Sequence, residues 1–185
     1  MIKSYIRICV AVLSLLLVMQ SGLAAPETPV GHVVWVKGTF TAGSRVLQRF
    51  SPIYLYDVLT TDARSLAEIA FTDNTLMTFK ENSQFSVDKY RFNPSTSGNF
   101  VGTLASGGFR TITGLIAKKY PGNYQVNTPV ATMGVRGTDY QAIYKGGYLY
   151  VVAYKGTVCI TPLNGSLPAC IQYPCSRGLY NIMAQ

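Results

Sequence analysis

The sequence predicts an all-β protein, a single domain of short antiparallel strands arranged as a sandwich or β-roll. Runs of Val, Ile, Thr, Tyr and Phe recur, separated by Gly, Asn, Asp, Ser and Pro, and helical periodicity is almost absent after residue 25. No fixed repeat period emerges, and no linker rich in Pro and Ser divides the 185 residues. One domain with short appendages is therefore the expected organisation.

Residues 1–25 have the residue order of a secretory signal peptide. A basic start precedes the apolar run from Ile8 to Met19, and small residues follow, which predicts cleavage after Ala24 or Ala25. The alternative is an uncleaved membrane anchor, because the run extended through Ala25 comes near the length of a bilayer span. We expect cleavage, no membrane span afterwards, and a periplasmic or extracellular protein.

Residues 26–160 are expected to form the β domain. Its first strand, His32 to Phe40, carries apolar residues on both faces, so we expect it to be covered on both sides or to lie in a barrel-like wall. Two later strands, Leu66 to Phe71 and Thr75 to Lys80, flank Asp73-Asn74. That pair tolerates the left-handed backbone of a tight hairpin.

The remaining predicted strands are likewise separated by residues that favour turns. Phe109 to Ile116 is the least regular, because glycines at 107, 108 and 114 interrupt it. Two tight turns are expected, at Lys145-Gly146-Gly147 and at Lys155-Gly156. The other predicted strands are Phe85 to Phe92, Tyr124 to Asn127, Asp139 to Tyr144, Tyr148 to Tyr154 and Thr157 to Thr161.

Residue patterns typical of enzymes do not occur in the sequence. The single histidine, His32, has no second His, Cys or carboxylate at ligand spacing, which argues against a metal site. No Gly-x-Ser-x-Gly elbow and no phosphate-cradling glycine loop is present. The eight acidic residues form no obvious pair, although two distant carboxylates could meet in space as in a hydrolase. We expect no enzymatic activity, no catalytic residues, no cofactor and no metal.

The chain is basic, with a formal net charge of +8. Loss of Lys3 and Arg7 with the signal peptide leaves 14 basic residues against 8 acidic ones, a net charge of +6. The basic residues are scattered, whereas nucleic-acid binders usually cluster them on a stripe or a helix. The charge therefore indicates a mild bias towards acidic partners, and we expect no nucleic-acid binding.

Three cysteines remain after export, Cys159, Cys170 and Cys175, so one pair can form and one thiol is left over. If Asn164-Gly165 is a two-residue type I′ turn, opposed residue numbers sum to 329 and Cys159 faces Cys170. Two prolines in this stretch weaken the hairpin, and Cys170–Cys175 is the rival pairing. In either case residues 161–185 form a C-terminal hairpin or tail stapled by cysteines.

Tyrosines concentrate in two of these strands. Tyr148, Tyr150 and Tyr154 share one face of a strand, and Tyr140 and Tyr144 share one face of its neighbour. An exposed aromatic shelf would suit stacking on sugar rings or on a flat protein partner. The alternative, which we favour, is that the rings fill the interior, because alternating aromatic residues are common in β cores.

The stretch from Asn127 to Tyr140 resembles the signature of the FecR-like domain, Thr-Pro-x-Ala-x-x-Gly-Val-Arg-Gly-Thr followed one residue later by Phe or Tyr. The signature residues are Thr128, Pro129, Gly134, Val135, Arg136, Gly137, Thr138, Asp139 and Tyr140. Four more stretches are similar to family landmarks in the same order. They are Gly31 to Gly38, Asp57 to Thr61, Phe71 to Leu76 and Leu104 to Gly114.

The resemblance implies an all-β periplasmic domain that acts as a signalling or protein-interaction module of the cell envelope. The signature residues would be structural or binding: the glycines allow tight backbone geometry, and Arg136 pairs with Asp139, with exposed carbonyl groups or with a ligand. Anti-sigma regulators of the family carry a cytoplasmic domain before their membrane helix. Seven residues precede the apolar run here, so we expect this chain to make no sigma-factor contact itself. A cell-wall glycan such as peptidoglycan is the alternative to an envelope protein as ligand.

Overall fold

The computed structural model of the protein describes residues 27–173 and the backbone of residues 180–183. The signal-peptide segment, its cleavage positions at Ala24 and Ala25, and Cys175 lie outside these residues, so the corresponding expectations stay predictions. Within the part that the structure describes, no helix is long and apolar enough to cross a bilayer.

The described chain consists mainly of strands, which confirms the predicted all-β class. A short helix, α1 (Leu115–Lys119), and a 3₁₀ turn (Pro121–Asn123) interrupt the series of strands after Ile112 and before Tyr124. The strands are β1 (Gly31–Lys37), β2 (Phe40–Ala42), β3 (Arg45–Val46), β4 (Pro52–Ile53), β5 (Val58–Thr61), β6 (Leu66–Phe71), β7 (Leu76–Phe79), β8 (Gln84–Asn93), β9 (Ser97–Ile112), β10 (Tyr124–Asn127), β11 (Ala131–Lys145), β12 (Tyr148–Pro162), β13 (Ala169–Gln172) and β14 (Tyr180–Met183).

The described strands join one continuous sheet, and each of the long strands β9, β11 and β12 pairs with different neighbours at its two ends. The first half of β9 lies between β8 and β10, and its second half lies between β7 and β11. Likewise β12 pairs with β13 at one end and with β14 at the other. Among these pairings only that of β9 with β10 is parallel. The sheet folds around one hydrophobic core in the sandwich-like arrangement that the sequence predicts.

Glycines mark irregular points of the long strands. Gly107, Gly137 and Gly156 have φ of +75°, +57° and +78°, left-handed values that interrupt a ladder without ending the strand. A Cβ atom on Gly156 would lie 2.6 Å from the carbonyl oxygen of Gly137, so the two strands approach closely there. The predicted turn at Lys155-Gly156 is therefore wrong. The left-handed glycine lies within a strand that continues on both sides.

The first strand also departs from its prediction. The register of β1 against β6 shifts between Val33 and Trp35, so the alternation of faces breaks there. Val33 is fully buried, whereas Trp35 is 36% exposed. The expectation of cover on both faces is thus wrong at Trp35, because a bulge disrupts the two-residue period that the sequence pattern assumed.

Two more differences lie towards the end of β9. The strand runs through Gly107 and Gly108, although glycine was expected to interrupt it. Both permit close packing instead: a Cβ atom would lie 2.5 Å from the Asn82 carbonyl oxygen at Gly107 and 2.8 Å from that of Ala142 at Gly108. The helix α1 was not predicted, since it has five residues and no side-chain cap that a sequence pattern could show.

Aromatic rings occupy the centre of the core. Phe40, Phe79, Phe85, Phe109 and Tyr140 contact one another in that order, with successive ring centroids 5.9, 5.5, 5.7 and 5.6 Å apart. Such contacts contribute about 0.5–1.5 kcal/mol each beyond the burial of area. Because its members come from β2, β7, β8, β9 and β11, the series joins five strands of the sheet through the core.

Burial of tyrosine predicts the response to alkaline pH. Burial raises the pKa of Tyr90, Tyr124 and Tyr140 above the ordinary value near 10. A raised pKa in the folded state means that stability is fully present below about pH 10 and is lost as pH rises further. We expect these tyrosines to ionise only on unfolding, so that absorbance at 295 nm and the near-ultraviolet circular dichroism change together above that pH. Ionisation of every tyrosine near pH 10 with the fold intact would contradict this.

A disulfide joins Cys159 of β12 to Cys170 of β13, and the two residues are directly opposed in register as the hairpin arithmetic requires. The turn is not type I′, because Gly165 has a left-handed φ and Asn164 does not. The rival Cys170–Cys175 pairing is not formed, since Cys170 is already bonded. The division of the chain at residue 160 stays a prediction.

Replacement of both bonded cysteines, Cys159→Ser with Cys170→Ser, is expected to lower the free energy of unfolding by about 2 kcal/mol. The bridge spans a sequence separation of only 11 residues and holds a four-residue edge strand, so it restricts the unfolded chain modestly. Urea titrations of the oxidised protein and of the double variant measure the difference. Identical unfolding midpoints would show that the bridge contributes nothing.

Candidate functional site

The signature begins at the turn between β10 and β11, where its first residues hold the backbone. The N–H of Thr128 donates to the Ala131 carbonyl oxygen at 2.9 Å, and the Thr128 hydroxyl accepts from the Ala131 N–H at 3.0 Å. Pro129 lies inside this turn, where its fixed φ suits the geometry. The turn therefore explains both Thr128 and Pro129.

Three further signature residues serve β11. Val135 is buried, and Gly137 has the left-handed φ described above. The N–H of Thr138 donates to the Thr113 hydroxyl at 2.8 Å, and the hydroxyl and N–H of Thr113 both donate to the Thr138 carbonyl oxygen. These bonds fix β11 against the end of β9. Tyr140 completes the group as the last ring of the buried aromatic series.

Gly134 and Arg136 have no comparable structural role. A Cβ atom on Gly134 would meet nothing within 4 Å, and its φ is not left-handed. Arg136 is exposed and makes no side-chain hydrogen bond or ion pair with the residues that the structure describes. Of the partners considered for Arg136, Asp139 is ruled out, because Asp139 binds an arginine of the neighbouring strand β9.

That arginine is Arg110, which belongs to a different landmark of the sequence. Pairing of β9 with β11 places Asp139 opposite Ile112, two residues from Arg110. The Nε and Nη2 atoms of Arg110 donate to the two carboxylate oxygens of Asp139 at 2.9 and 2.8 Å. The guanidinium carbon lies 4.5 Å from the centre of the Tyr154 ring. Hydrogen bonding to Asp139 raises the pKa of Arg110 further, so the guanidinium stays charged.

Apolar side chains flank this ion pair on the solvent-facing side of the sheet. Leu76 of β7 lies opposite Ile112 in register, and Ile112 is 49% exposed. We name Leu76, Arg110, Ile112, Asp139 and Tyr154 the outer-face cluster. Arginine and tyrosine are enriched in the centres of protein interfaces, and the cluster contains no nucleophile with an adjacent base. Its chemistry suits recognition.

The tyrosines of β12 lie on the same side of the sheet, which corrects the expectation that they fill the interior. Tyr148 and Tyr154 are exposed and Tyr150 is half-buried, whereas the alternate residues between them are buried. Tyr140 on β11 is fully buried, as expected. A shared parity identifies residues on one face, but it does not decide which face meets the core.

Replacement of Arg110 by alanine is expected to change the free energy of unfolding by less than about 1 kcal/mol. The ion pair is bidentate, but the Arg110 side chain is 50% exposed, so solvent screens the attraction. Urea denaturation of Arg110→Ala and of the wild type measures the difference. A loss several times larger would mean that the pair serves folding and not recognition.

An open cleft of about 500 Å³ lies between the turn after β7 and the turn after β11. Its lining includes two lysines, Lys80 and Lys145, and a single carboxylate, that of Glu81. A glycosidase needs a pair of carboxyl groups, so the cleft gives no support to a two-carboxylate hydrolase. Among the described residues, no group of three or more His, Cys, Asp or Glu could hold a metal ion.

Comparison with known proteins adds two findings. The sequence model of the family described as FecR protein matches residues 57–159, a stretch that contains every member of the outer-face cluster. Two crystal structures of a candidate anti-sigma factor from Parabacteroides distasonis are similar in fold. One has a TM-score of 0.50 and 8% identity and covers 68% of this chain and 59% of that one. The other has a TM-score of 0.49 and 9% identity, with coverages of 70% and 60%.

The chain thus spans about three fifths of the length of the two solved structures. At such low identity the likeness is one of fold alone. No curated protein matches the chain.

Proposed function

Since the chain belongs to the FecR family, we propose that it is a regulatory protein-interaction module of the cell envelope. In this proposal it is not an enzyme, and it binds a protein partner through the outer-face cluster. The observation that carries the proposal is the Arg110–Asp139 ion pair, whose two residues lie 29 positions apart in two different family landmarks. The pair lies on the surface among exposed apolar side chains, where it contributes little to folding.

The chemistry of the cluster supports this role. The guanidinium and the carboxylate already satisfy each other, so a partner that covers them leaves no lone charge buried. Leu76 and Ile112 supply apolar area beside them, and Tyr154 supplies a rigid ring with a polar end. A pre-formed patch of this kind binds with little loss of side-chain freedom.

Envelope crosslinking of the whole protein tests the proposal. We expect a defined crosslinked product with one protein in the wild type, and loss of that product in the variants Leu76→Asp and Ile112→Asp. Leu167→Asp is the matched control, because Leu167 is exposed and lies outside the cluster. Equal yields from all four proteins would refute binding through this face.

Export is a separate part of the proposal. The residue order of the first 25 positions and the Cys159–Cys170 disulfide support an oxidising compartment outside the cytoplasm. Cell fractionation with N-terminal sequencing should find a mature chain that begins at Ala25 or Pro26, in the periplasm or the medium. An intact N-terminus in the cytoplasm would refute export.

A cell-wall glycan is the second candidate ligand, and the exposed tyrosines of β12 favour it. Rings of Tyr148, Tyr150 and Tyr154 on one face could stack on sugars. If this is the ligand, the protein sediments with purified peptidoglycan, and Tyr148→Ala with Tyr150→Ala abolishes sedimentation. No sedimentation of the wild type would end this candidate and leave the protein partner.

A further inference from the structure

A second exposed patch lies in residues 45–58, which we name the aromatic segment. Phe50 and Tyr56 are 69% and 73% exposed, and Val46 beside β2 is also exposed. Both aromatic residues have a left-handed backbone, with φ of +71° and +66°. Bulky residues rarely adopt this conformation, because Cβ then crowds the following carbonyl oxygen. Two aromatic side chains therefore project into solvent from strained backbone positions in one stretch of chain.

The surrounding structure holds this strain in place. The N–H of Phe50 donates to the Val33 carbonyl oxygen, and the N–H of Tyr56 donates to the Val87 carbonyl oxygen, each at 2.8 Å. The Asp57 carboxylate accepts from the N–H of Tyr54 at 2.8 Å, and each of its two oxygens accepts from Nη2 of Arg45 at 2.6 Å. The backbone is thus fixed at several points. Since side chains this exposed gain little from burial in the fold, folding alone does not account for them.

The charge of the segment points to the partner. The Arg45 guanidinium is neutralised by Asp57 and lies over the Tyr54 ring. The Arg49 guanidinium lies 4.7 Å from the centre of the Phe50 ring and has no ion pair among the described residues. The exposed surface therefore combines aromatic area with an uncompensated positive charge, and it is complementary to an apolar pocket bordered by carboxylates.

We infer that the aromatic segment is a second docking surface, whose exposed Phe50 and Tyr56 rings contact an apolar, acidic-rimmed surface of a folded protein partner. A rigid protein surface gains from side chains held in one direction, whereas a fluid lipid surface does not require a strained, fixed backbone. This surface extends the interaction role proposed above, and it does not depend on the outer-face cluster. The two surfaces would let one module contact two proteins.

Photo-crosslinking in cells tests the inference with the full chain. Benzoylphenylalanine at Val46 reports contacts at the segment without replacing either strained residue. We expect it to form an adduct with one protein, through a peptide of that protein that contains Asp or Glu. The variants Phe50→Asn and Tyr56→Asn should each remove most of the adduct, while Leu167→Asn leaves it unchanged.

The backbone strain at Phe50 and Tyr56 can be tested separately by measuring melting temperatures. Asparagine tolerates the left-handed conformation, so Phe50→Asn and Tyr56→Asn should keep or raise the melting temperature while they remove the adduct. The inference is overturned if the adduct survives both variants, or if no protein adduct forms. It is also overturned if wild-type protein binds vesicles of phosphatidylglycerol and phosphatidylethanolamine and both variants lose that binding. If Phe50→Asn and Tyr56→Asn lose the Val46 adduct but keep the crosslink that Ile112→Asp removes, the aromatic segment and the outer-face cluster bind independently.

Discussion

Replacement of Asp73 by alanine is expected to lower the free energy of unfolding by about 3 kcal/mol or more. The buried carboxylate accepts from the N–H and the hydroxyl of Thr75, both at 3.0 Å, and from the N–H of Ile116 at 3.1 Å. It thereby joins the turn between β6 and β7 to the first residues of α1. Alanine would leave three buried donors without this acceptor, and each unsatisfied donor costs about 1–3 kcal/mol.

Urea denaturation followed by the fluorescence of Trp35, the single tryptophan, measures this effect. Asp62→Ala is the matched control, because Asp62 is exposed and its side chain makes no hydrogen bond with the described residues. We expect the control to stay within about 0.5 kcal/mol of the wild type. Equal stability of Asp73→Ala and Asp62→Ala would contradict the role assigned to Asp73.

Replacement of Gly156 by alanine is expected to lower the free energy of unfolding by about 3 kcal/mol. Two effects add: a left-handed conformation costs about 1–2 kcal/mol for a residue with Cβ, and overpacking costs about 1–3 kcal/mol. The new Cβ would lie 2.6 Å from the Gly137 carbonyl oxygen and 3.0 Å from that of Arg136, and both are backbone atoms. The backbones of β11 and β12 would have to move apart at this point.

Gly122→Ala is the control for this prediction. Gly122 is exposed, its φ is not left-handed, and a Cβ atom there would meet nothing within 4 Å. Thermal unfolding of both variants should show a large drop in melting temperature for Gly156→Ala and almost none for Gly122→Ala. Similar melting temperatures would mean that β12 is not closely paired with β11 at Gly156.

Local features of the sequence were sufficient to predict several parts of the fold. Asp73-Asn74 predicts its hairpin because Asn74 tolerates the left-handed φ of +66° that the turn requires. Hairpin arithmetic centred on Asn164-Gly165 predicted that Cys159 faces Cys170, and the observed register agrees with it although the turn is not type I′. Alternating apolar residues likewise predict β6, in which every second side chain is buried.

Other features depend on contacts between distant residues, which one sequence does not show. A glycine with positive φ suits a turn or a bulge equally, and only the pairing of β11 with β12 decides that Gly156 lies inside a strand. The same holds for Arg110 and Asp139, which meet only because β9 pairs with β11. Arg136 is closer to Asp139 in sequence, which made Asp139 one of the partners considered for it, but Asp139 binds Arg110. The sequence did offer one indication of Arg110, since it lies within the family landmark from Leu104 to Gly114.

The strained aromatic residues are a different case. Nothing in the types of Phe50 and Tyr56 indicates a left-handed backbone, since both residue types favour extended strands. Their conformation follows from hydrogen bonds to Val33 and Val87, which belong to other strands. Places where local preference and observed backbone disagree are common at functional sites, and here they coincide with exposed aromatic area.

Site-specific photo-crosslinking along the outer face tests the proposed role most directly. Benzoylphenylalanine is placed at Ile112, at Tyr154 and, as a control, at exposed Thr96 on the loop between β8 and β9, in cells of the source organism. We expect Ile112 and Tyr154 to capture the same protein and Thr96 to capture none. Capture of no protein at either cluster position, or of the same products from Thr96, would contradict recognition through this face.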